Sequence, residues 1–430
     1  MANNNFGFHA SNPNASEGAI MVTESSKRTH QKNRANKKIL WVSSLNLGVS
    51  LHKKSKIDIM ESLTKRGYAS SFISFRSNEF VQTKNSHIQL ISIPLKSIAI
   101  ISHVMYAIVL LLFMPLHILI SKPDYIISDP NISIFSFALG FPLSKLRNIK
   151  LILDIRSTPV EVSGFRGFLQ TLLFITSISF AKNHFNGITT ITPLMKEEIC
   201  KRFGINSKKI GVWSSGVSVS LFDPEAFSSK GSCLRKKLGL DEKFVVLYHG
   251  VFSANRGLVE TIKAMSIVKN RNCNIILLLL GKGAFDQKLK DLIRMENLQD
   301  NVFIHSPVEH AKVPNYIAMC DVGIVPLPDH PYWQTQSPLK LLEYLAMRKV
   351  VVLSSMPAHR LVVGKEKCGI YFSSTNPVEI AKSIIYACNN REKLELWGAS
   401  GEKIVEEGYT WEKIAAKLEN YLLSIDNVIS

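Results

Sequence analysis

The run Ser337-Pro338-Leu339-Lys340-Leu341-Leu342-Glu343 holds the densest group of residues able to do chemistry. Ser337 is a natural N-cap and Pro338 suits the first helical position, so the run predicts a helix start there. Such a start presents free backbone N–H groups and the positive end of the helix dipole, a combination that binds phosphate. Lys340 and Glu343 stand three apart and share one face. A cation beside phosphates, with a carboxylate one turn deeper to accept from two ribose hydroxyls, suits a nucleoside diphosphate. By spacing alone the same residues read first as an ordinary Lys–Glu pair on a surface helix.

Two loops could complete such a site. Gly250-Val251-Phe252-Ser253-Ala254-Asn255-Arg256-Gly257 follows an apolar run. Gly250 would let backbone approach a ligand closely, and Arg256, at the mouth of the next helix, could grip phosphate oxygens with its planar fork. Gly281-Lys282-Gly283 could cradle a nucleotide or serve as simple turn chemistry. No Asp-x-Asp occurs in the chain, so a usual ligand set for a diphosphate-bound metal is missing. No metal or other cofactor is expected.

The elements that must hold these residues alternate between strand and helix signals, which predicts an α/β fold of parallel sheets covered by helices. Strand-like runs fall at Ile39–Ser43, Ser71–Phe75, Leu90–Ile93, Tyr125–Ser128, Leu151–Asp154 and Gly187–Ile191. A second series follows at Phe244–His249, Ile275–Leu280, Val322–Val325 and Val350–Leu353. Helices are expected over Ile57–Lys65, Leu258–Lys269, from near Pro338, and over Thr410–Leu423. At 430 residues the chain exceeds one ordinary core. The expected division is a disordered polar tail over 1–36, a first domain over 37–225, a second over 226–405, and a terminal helix and tail over 406–430.

The net charge of +18 is uneven: residues 1–225 carry 26 Lys/Arg against 13 Asp/Glu, the remainder 26 against 21. A basic first half suggests an anionic partner such as a membrane surface, or only solubility. Positive charge is diffuse and aromatics do not alternate with it, which argues against nucleic acid. Six cysteines without C-x-x-C spacing favour a reducing, cytoplasmic compartment. Ile98–Ile120 has 23 uncharged residues, long enough to span a bilayer. It lies between two strands of one expected sheet, so a helix packed on that sheet, with one face pressed against lipid beside Lys96 and Lys122, is the preferred reading.

The order of these features resembles the retaining glycosyltransferases of family 4. Arg256, Gly281–Gly283, Asp321 with Pro326, and Ser337–Glu343 fall in that family's sequence. Arg66-Gly67-Tyr68 and Gly216-Val217…Phe222-Asp223-Pro224 add to it in the first half. The resemblance runs from Lys38 to Leu423 and includes the branch reading P-x-K-x-x-E. It implies a GT-B fold, two Rossmann-like domains facing across a cleft, with the terminal helix crossing back to the first. It also implies that Arg256 contacts the donor diphosphate, Lys340 a phosphate or the sugar, and Glu343 the ribose. Gly250, Gly281, Gly283, Ser337 and Leu339 would line the donor, and Gly48 would stand in for the glycine loop of the first domain. Three departures bear on sugar and acceptor: Thr335 replaces the first acid of E-x7-E, Val251 replaces an arginine, and Asp154-Ile155-Arg156 replaces a His-Asp pair. Asp154 or Arg156 then orients the acceptor, though Asp154 equally suits a turn cap.

The implied reaction moves a sugar, with retention, from a nucleotide diphosphate-sugar to a glycan or lipid-linked acceptor in cell-surface polysaccharide or glycoconjugate synthesis. Without a metal, protein cations and N–H dipoles must stabilise the leaving diphosphate, and a diphosphate oxygen takes the acceptor proton. The rival readings are a sugar-nucleotide 2-epimerase on the same architecture and a non-catalytic nucleotide-sugar-binding subunit of a glycan assembly complex.

Overall fold

The computed structural model describes residues 37–46, 52–75, 88–93, 99–130, 137–159, 164–271 and 274–427. Gly48 lies outside them. The first domain holds seven parallel strands, β1 (Lys38–Asn46), β2 (Ala69–Phe75), β3 (Ile88–Ile93), β4 (Tyr125–Ser128), β5 (Lys150–Ile155), β6 (Gly187–Thr190) and β7 (Ile210–Val212), in the order β3-β2-β1-β4-β5-β6-β7. The second holds six, β8 (Phe244–Val251), β9 (Ile275–Lys282), β10 (Val302–His305), β11 (Val322–Val325), β12 (Val350–Ser354) and β13 (Gly369–Phe372), ordered β10-β9-β8-β11-β12-β13. Each sheet thus reverses its strand order once, between β1 and β4 and between β8 and β11. This is the doubly wound arrangement, whose ligands sit beyond the strand C-termini at the reversal. Central strands such as β4, β5 and β12 are buried throughout, as their unbroken apolar runs require.

Three strands have no counterpart in the expected set: β7, β10 and β13. All lie at sheet edges, and their runs Ile210–Val212, Val302–His305 and Gly369–Phe372 mix apolar residues with Gly, His or Tyr, so they did not stand out from the loops around them. The helix Pro224–Lys237 crosses the expected 225/226 boundary. It belongs to the second domain, where a Cβ on Gly231 would stand 2.6 Å from Ala318 Cβ, and its N-cap Asp223 accepts from the amides of Glu225 and Ala226.

The terminal helix Trp411–Asn427 returns to the first domain. Trp411, Ile414, Leu418 and Leu422 share a core with Ile39, Trp41 and Ile59, and Glu419, fully buried, pairs with Arg66. Removing Arg66 would take its charge partner from that buried carboxylate. Arg66→Ala is therefore expected to destabilise by about 3 kcal/mol, the low end for a broken buried pair because Arg66 keeps partial solvent contact. Urea melts of Arg66→Ala and of Arg66→Met/Glu419→Leu check this, and the double variant should recover most of the loss.

Candidate active site

Loops leaving the C-terminal ends of the two sheets meet. Thr192 Oγ1, after β6, donates to the Thr335 carbonyl at 2.6 Å, and Ser215 Oγ, after β7, donates to the Ser337 carbonyl at 3.2 Å. A cavity of about 600 Å3 lies between the domains, with Thr158, Glu198 and Arg202 on one side and Tyr332, Gln334 and Thr335 on the other. Beside this junction, at the reversal between β8 and β11, the structure gathers most of the expected donor residues.

Lys340 stands at the second position of the helix Leu339–Ala346, its Nζ 3.7 Å from the Tyr248 ring centroid. A Cβ on Gly250 would fall 3.1 Å from that Nζ, so the glycine leaves room for the ammonium. Arg256 closes the short turn after β8 and stacks its guanidinium 4.5 Å from the Trp333 ring centroid. Burial, then the neighbouring charge of Arg256, hold the Lys340 pKa well below the usual lysine value, with Glu343 opposing the shift. Two half-buried cations thus stand close enough to repel one another, and a polyanion between them would relieve the repulsion.

Glu343 lies one turn deeper and is nearly buried. His310 Nε2 is 2.9 Å from its Oε1, and His249 Nε2 is 3.5 Å from its Oε2. Burial lowers the His249 pKa to about 4 against the pull of Glu343, so its ring is neutral near pH 7. His249, His310, Trp333 and Tyr248 were not among the expected residues. The only sequence signal was a polar residue, His249, ending an apolar strand.

The helix start differs in detail from expectation. Pro338, not Ser337, occupies the N-cap position, without a side-chain cap. The first N–H groups therefore have no side-chain acceptor at the cap. Ser337 Oγ, Gln336 Nε2, Thr335 Oγ1 and Arg256 Nε are all buried without a hydrogen-bond partner. Such atoms in one place are costly unless a polar ligand satisfies them.

The other glycines have packing reasons. Gly250 pairs with Gly281 in the β8–β9 register, and a Cβ on Gly281 would fall 1.9 Å from the Gly250 carbonyl oxygen. One on Gly283 would fall 2.1 Å from Phe252 O, and the Gly283 amide donates to Asp286. These glycines let the two loops lie flat together, and the Gly283 N–H is already engaged.

Asp154 is not brought to this cluster. It is a fully buried residue of β5 whose Oδ1 accepts from Thr189 Oγ1 at 2.7 Å and Trp213 Nε1 at 3.0 Å, and burial raises its pKa. It caps no turn. Arg156 donates to the Trp213 carbonyl at 2.6 Å and stacks on that ring at 3.6 Å. Among the described residues no group of three His, Cys, Asp or Glu side chains, the His249–Glu343–His310 cluster included, is placed to hold a metal ion.

Two parallel doubly wound sheets joined at their strand C-termini, with a return helix, define the GT-B class of fold. Sucrose-phosphate synthase from Thermosynechococcus elongatus superposes with a TM-score of 0.73 at 17% identity, covering 91% of this chain and all of that one. HepE of Anabaena, solved with UDP-glucose, superposes at 0.68 and 15%, covering 90% of this chain and 99% of that one. Residues 233–404 match the model of the family Glycosyl transferases group 1. An uncharacterized glycosyltransferase of Methanocaldococcus jannaschii is 24% identical over 234 residues, 54% of this chain and 58% of that protein. The chain spans between 58 and 63% of the length of the first three curated relatives it matches.

Proposed function

We propose that the chain is a retaining glycosyltransferase that moves a sugar from a nucleotide diphosphate-sugar to a glycan or lipid-linked acceptor without a metal ion, of the kind its family 4 resemblance implies. One observation carries the reading: Arg256 and Lys340 lie close together at a half-buried helix start, with Glu343 one turn deeper. In that reading the diphosphate lies between the two cations and the uncapped N–H groups, and Glu343 accepts from the ribose. Gly250 and the Ser337–Leu339 backbone border the diphosphate. As the bond from the anomeric carbon to the diphosphate oxygen breaks, its electron pair passes to that oxygen, which the cations stabilise. The acceptor oxygen bonds to the same face of the carbon, and its proton passes to the departing oxygen. Nucleotide-sugar complexes of the structural neighbour HepE support the donor class. Absence of Asp-x-Asp supports the metal-free route.

Incubating the protein with UDP- and GDP-sugars, with and without lipid-linked acceptors, tests the proposal. New glycosidic product of unchanged anomeric configuration supports it. A 2-epimerised sugar nucleotide without acceptor, or donor binding without turnover, would replace it by one of the rival readings.

The low Lys340 pKa gives a further expected result. A bound diphosphate favours the charged ammonium, so nucleoside diphosphate binding should take up protons at pH values where Lys340 is partly neutral in the free protein. Affinity should be greatest below the free-state pKa and weaken as pH rises through it. Titration calorimetry of UDP and GDP in buffers of different ionisation enthalpy reads the proton count. Lys340→Met should abolish the uptake assigned to it.

A further inference from the structure

From the outward faces of three helices in the first domain we infer a docking surface for an anionic lipid bilayer. The inference goes beyond sugar transfer and is read separately from it.

The helices Ala99–Ser121, Phe137–Leu146 and Gly164–His184 cover one face of the first sheet, sharing its core. Phe141 meets His184 edge-on at 5.2 Å. In Ala99–Ser121, Tyr106, Leu110, Met114 and Ile118 repeat every four residues and are fully buried. The Tyr106 hydroxyl donates to the Ser43 carbonyl at 2.8 Å. The opposite stripe, Ile108, Leu112, Leu116 and Ile120, has the same period and points outward, with Leu112 71% and Ile120 72% exposed. A soluble surface helix carries charge on that side, as Asp286–Met295 does with Lys288, Lys290, Asp291 and Arg294 around its buried Leu289 and Ile293. Ala99–Ser121 carries none. The neighbouring helices continue the surface with Leu146 at 84%, Phe165 at 73% and Phe168 at 63% exposure.

Charge selects the occupant. The three helices contain no Asp or Glu, and Lys122, Lys145, Arg147 and Lys182 stand exposed at or just past their C-terminal ends. An acid-free apolar face with a cationic edge complements anionic headgroups above hydrocarbon. A second copy would bring the same cations together across a two-fold axis. The exposed apolar residues are aliphatic and Phe, without the Tyr and Trp anchors typical of protein interfaces. A transmembrane span is incompatible with this packing, because it would draw Tyr106, Leu110, Met114 and Ile118 out of the core and part β3 from β4. The helix therefore lies in the interface. Thr171 and Phe174 of Gly164–His184 line the inter-domain cavity, so one helix joins the lipid-facing surface to the cleft, a short path for a lipid-linked acceptor.

Co-sedimentation of the full chain with phosphatidylglycerol/phosphatidylcholine vesicles and with phosphatidylcholine vesicles tests the inference. Binding to the anionic vesicles should exceed that to neutral ones by about tenfold or more, fall with salt, and be released by alkaline carbonate. Leu112→Glu/Leu116→Glu and Phe165→Glu/Phe168→Glu should each lose it with unchanged thermal melting, and Lys145→Glu/Arg147→Glu should weaken it. Four outcomes overturn the inference: no vesicle binding, binding unaffected by the glutamates, resistance to carbonate (a span), or self-association abolished by the glutamates without vesicle binding (a second copy).

Discussion

Lys340→Met is expected to lower kcat/KM for the sugar-nucleotide donor by about 10²–10³, roughly 3–4 kcal/mol of transition-state stabilisation, the usual loss when one preorganised charge partner is removed. The same substitution should leave the folded state no less stable. In the free protein the Lys340 ammonium is desolvated and repelled by Arg256, against which stand Glu343 and the Tyr248 ring. A methionine of similar length keeps the packing and removes the repulsion. Activity and stability should therefore move apart, as expected where a site holds strain for function. Lys340→Arg keeps the charge but not the compact shape. With Nζ already so near Gly250, a guanidinium must displace the loop, so this variant should also lose most turnover. Steady-state kinetics beside thermal melts decide the matter. Wild-type turnover in Lys340→Met, or a collapse of its melting temperature, would sink the assignment.

Gly257→Ala should be among the most damaging single methyls in the second domain. Gly257 takes φ +67° between the turn that ends at Arg256 and the helix Leu258–Lys269. An added Cβ would fall 1.8 Å from the Pro326 carbonyl oxygen, so backbone must shift. Gly164 supplies the control, since it takes φ +68° with nothing within 4 Å of its would-be Cβ. Gly164→Ala should cost only the left-handed penalty of about 1–2 kcal/mol. Gly257→Ala should exceed that by roughly 2 kcal/mol or more, because it adds overpacking to the same penalty. It should also cut donor turnover, because the shift carries Arg256 off the Trp333 ring. Urea melts of both variants measure the difference, and equal losses would show that the Pro326 contact yields easily.

The α/β class, the doubling into two sheets and most central strands were legible in the residues. A strand buried on both faces writes an unbroken apolar run, as Phe244–Tyr248 and Ile275–Leu280 do. Edge strands write less: β3 was read, but β7, β10 and β13 were silent. Arg256, Lys340 and Glu343, the expected donor contacts, stood out through the order of their motifs, since by spacing alone Lys340 and Glu343 read as an ordinary surface pair. Such motifs report backbone geometry within a few residues.

What surrounds those side chains was decided by the tertiary structure alone. His310 reaches Glu343 from 33 positions away, and Trp333, on the short helix Pro331–Gln334 after β11, lies against Arg256 of the turn after β8. Asp154 shows the converse: the family resemblance suggested that it or Arg156 orients the acceptor, but pairing of β5 with β6 and the approach of Trp213 place Asp154 inside the sheet. Burial and charge proximity depend on which distant elements pack together, and this packing, not the residue type, sets the low pKa of Lys340 and the neutrality of His249. Ile98–Ile120 divides the same way. Composition fixed that the helix is apolar all round, whereas the sheet beneath it settled which stripe is core and which is left facing outward.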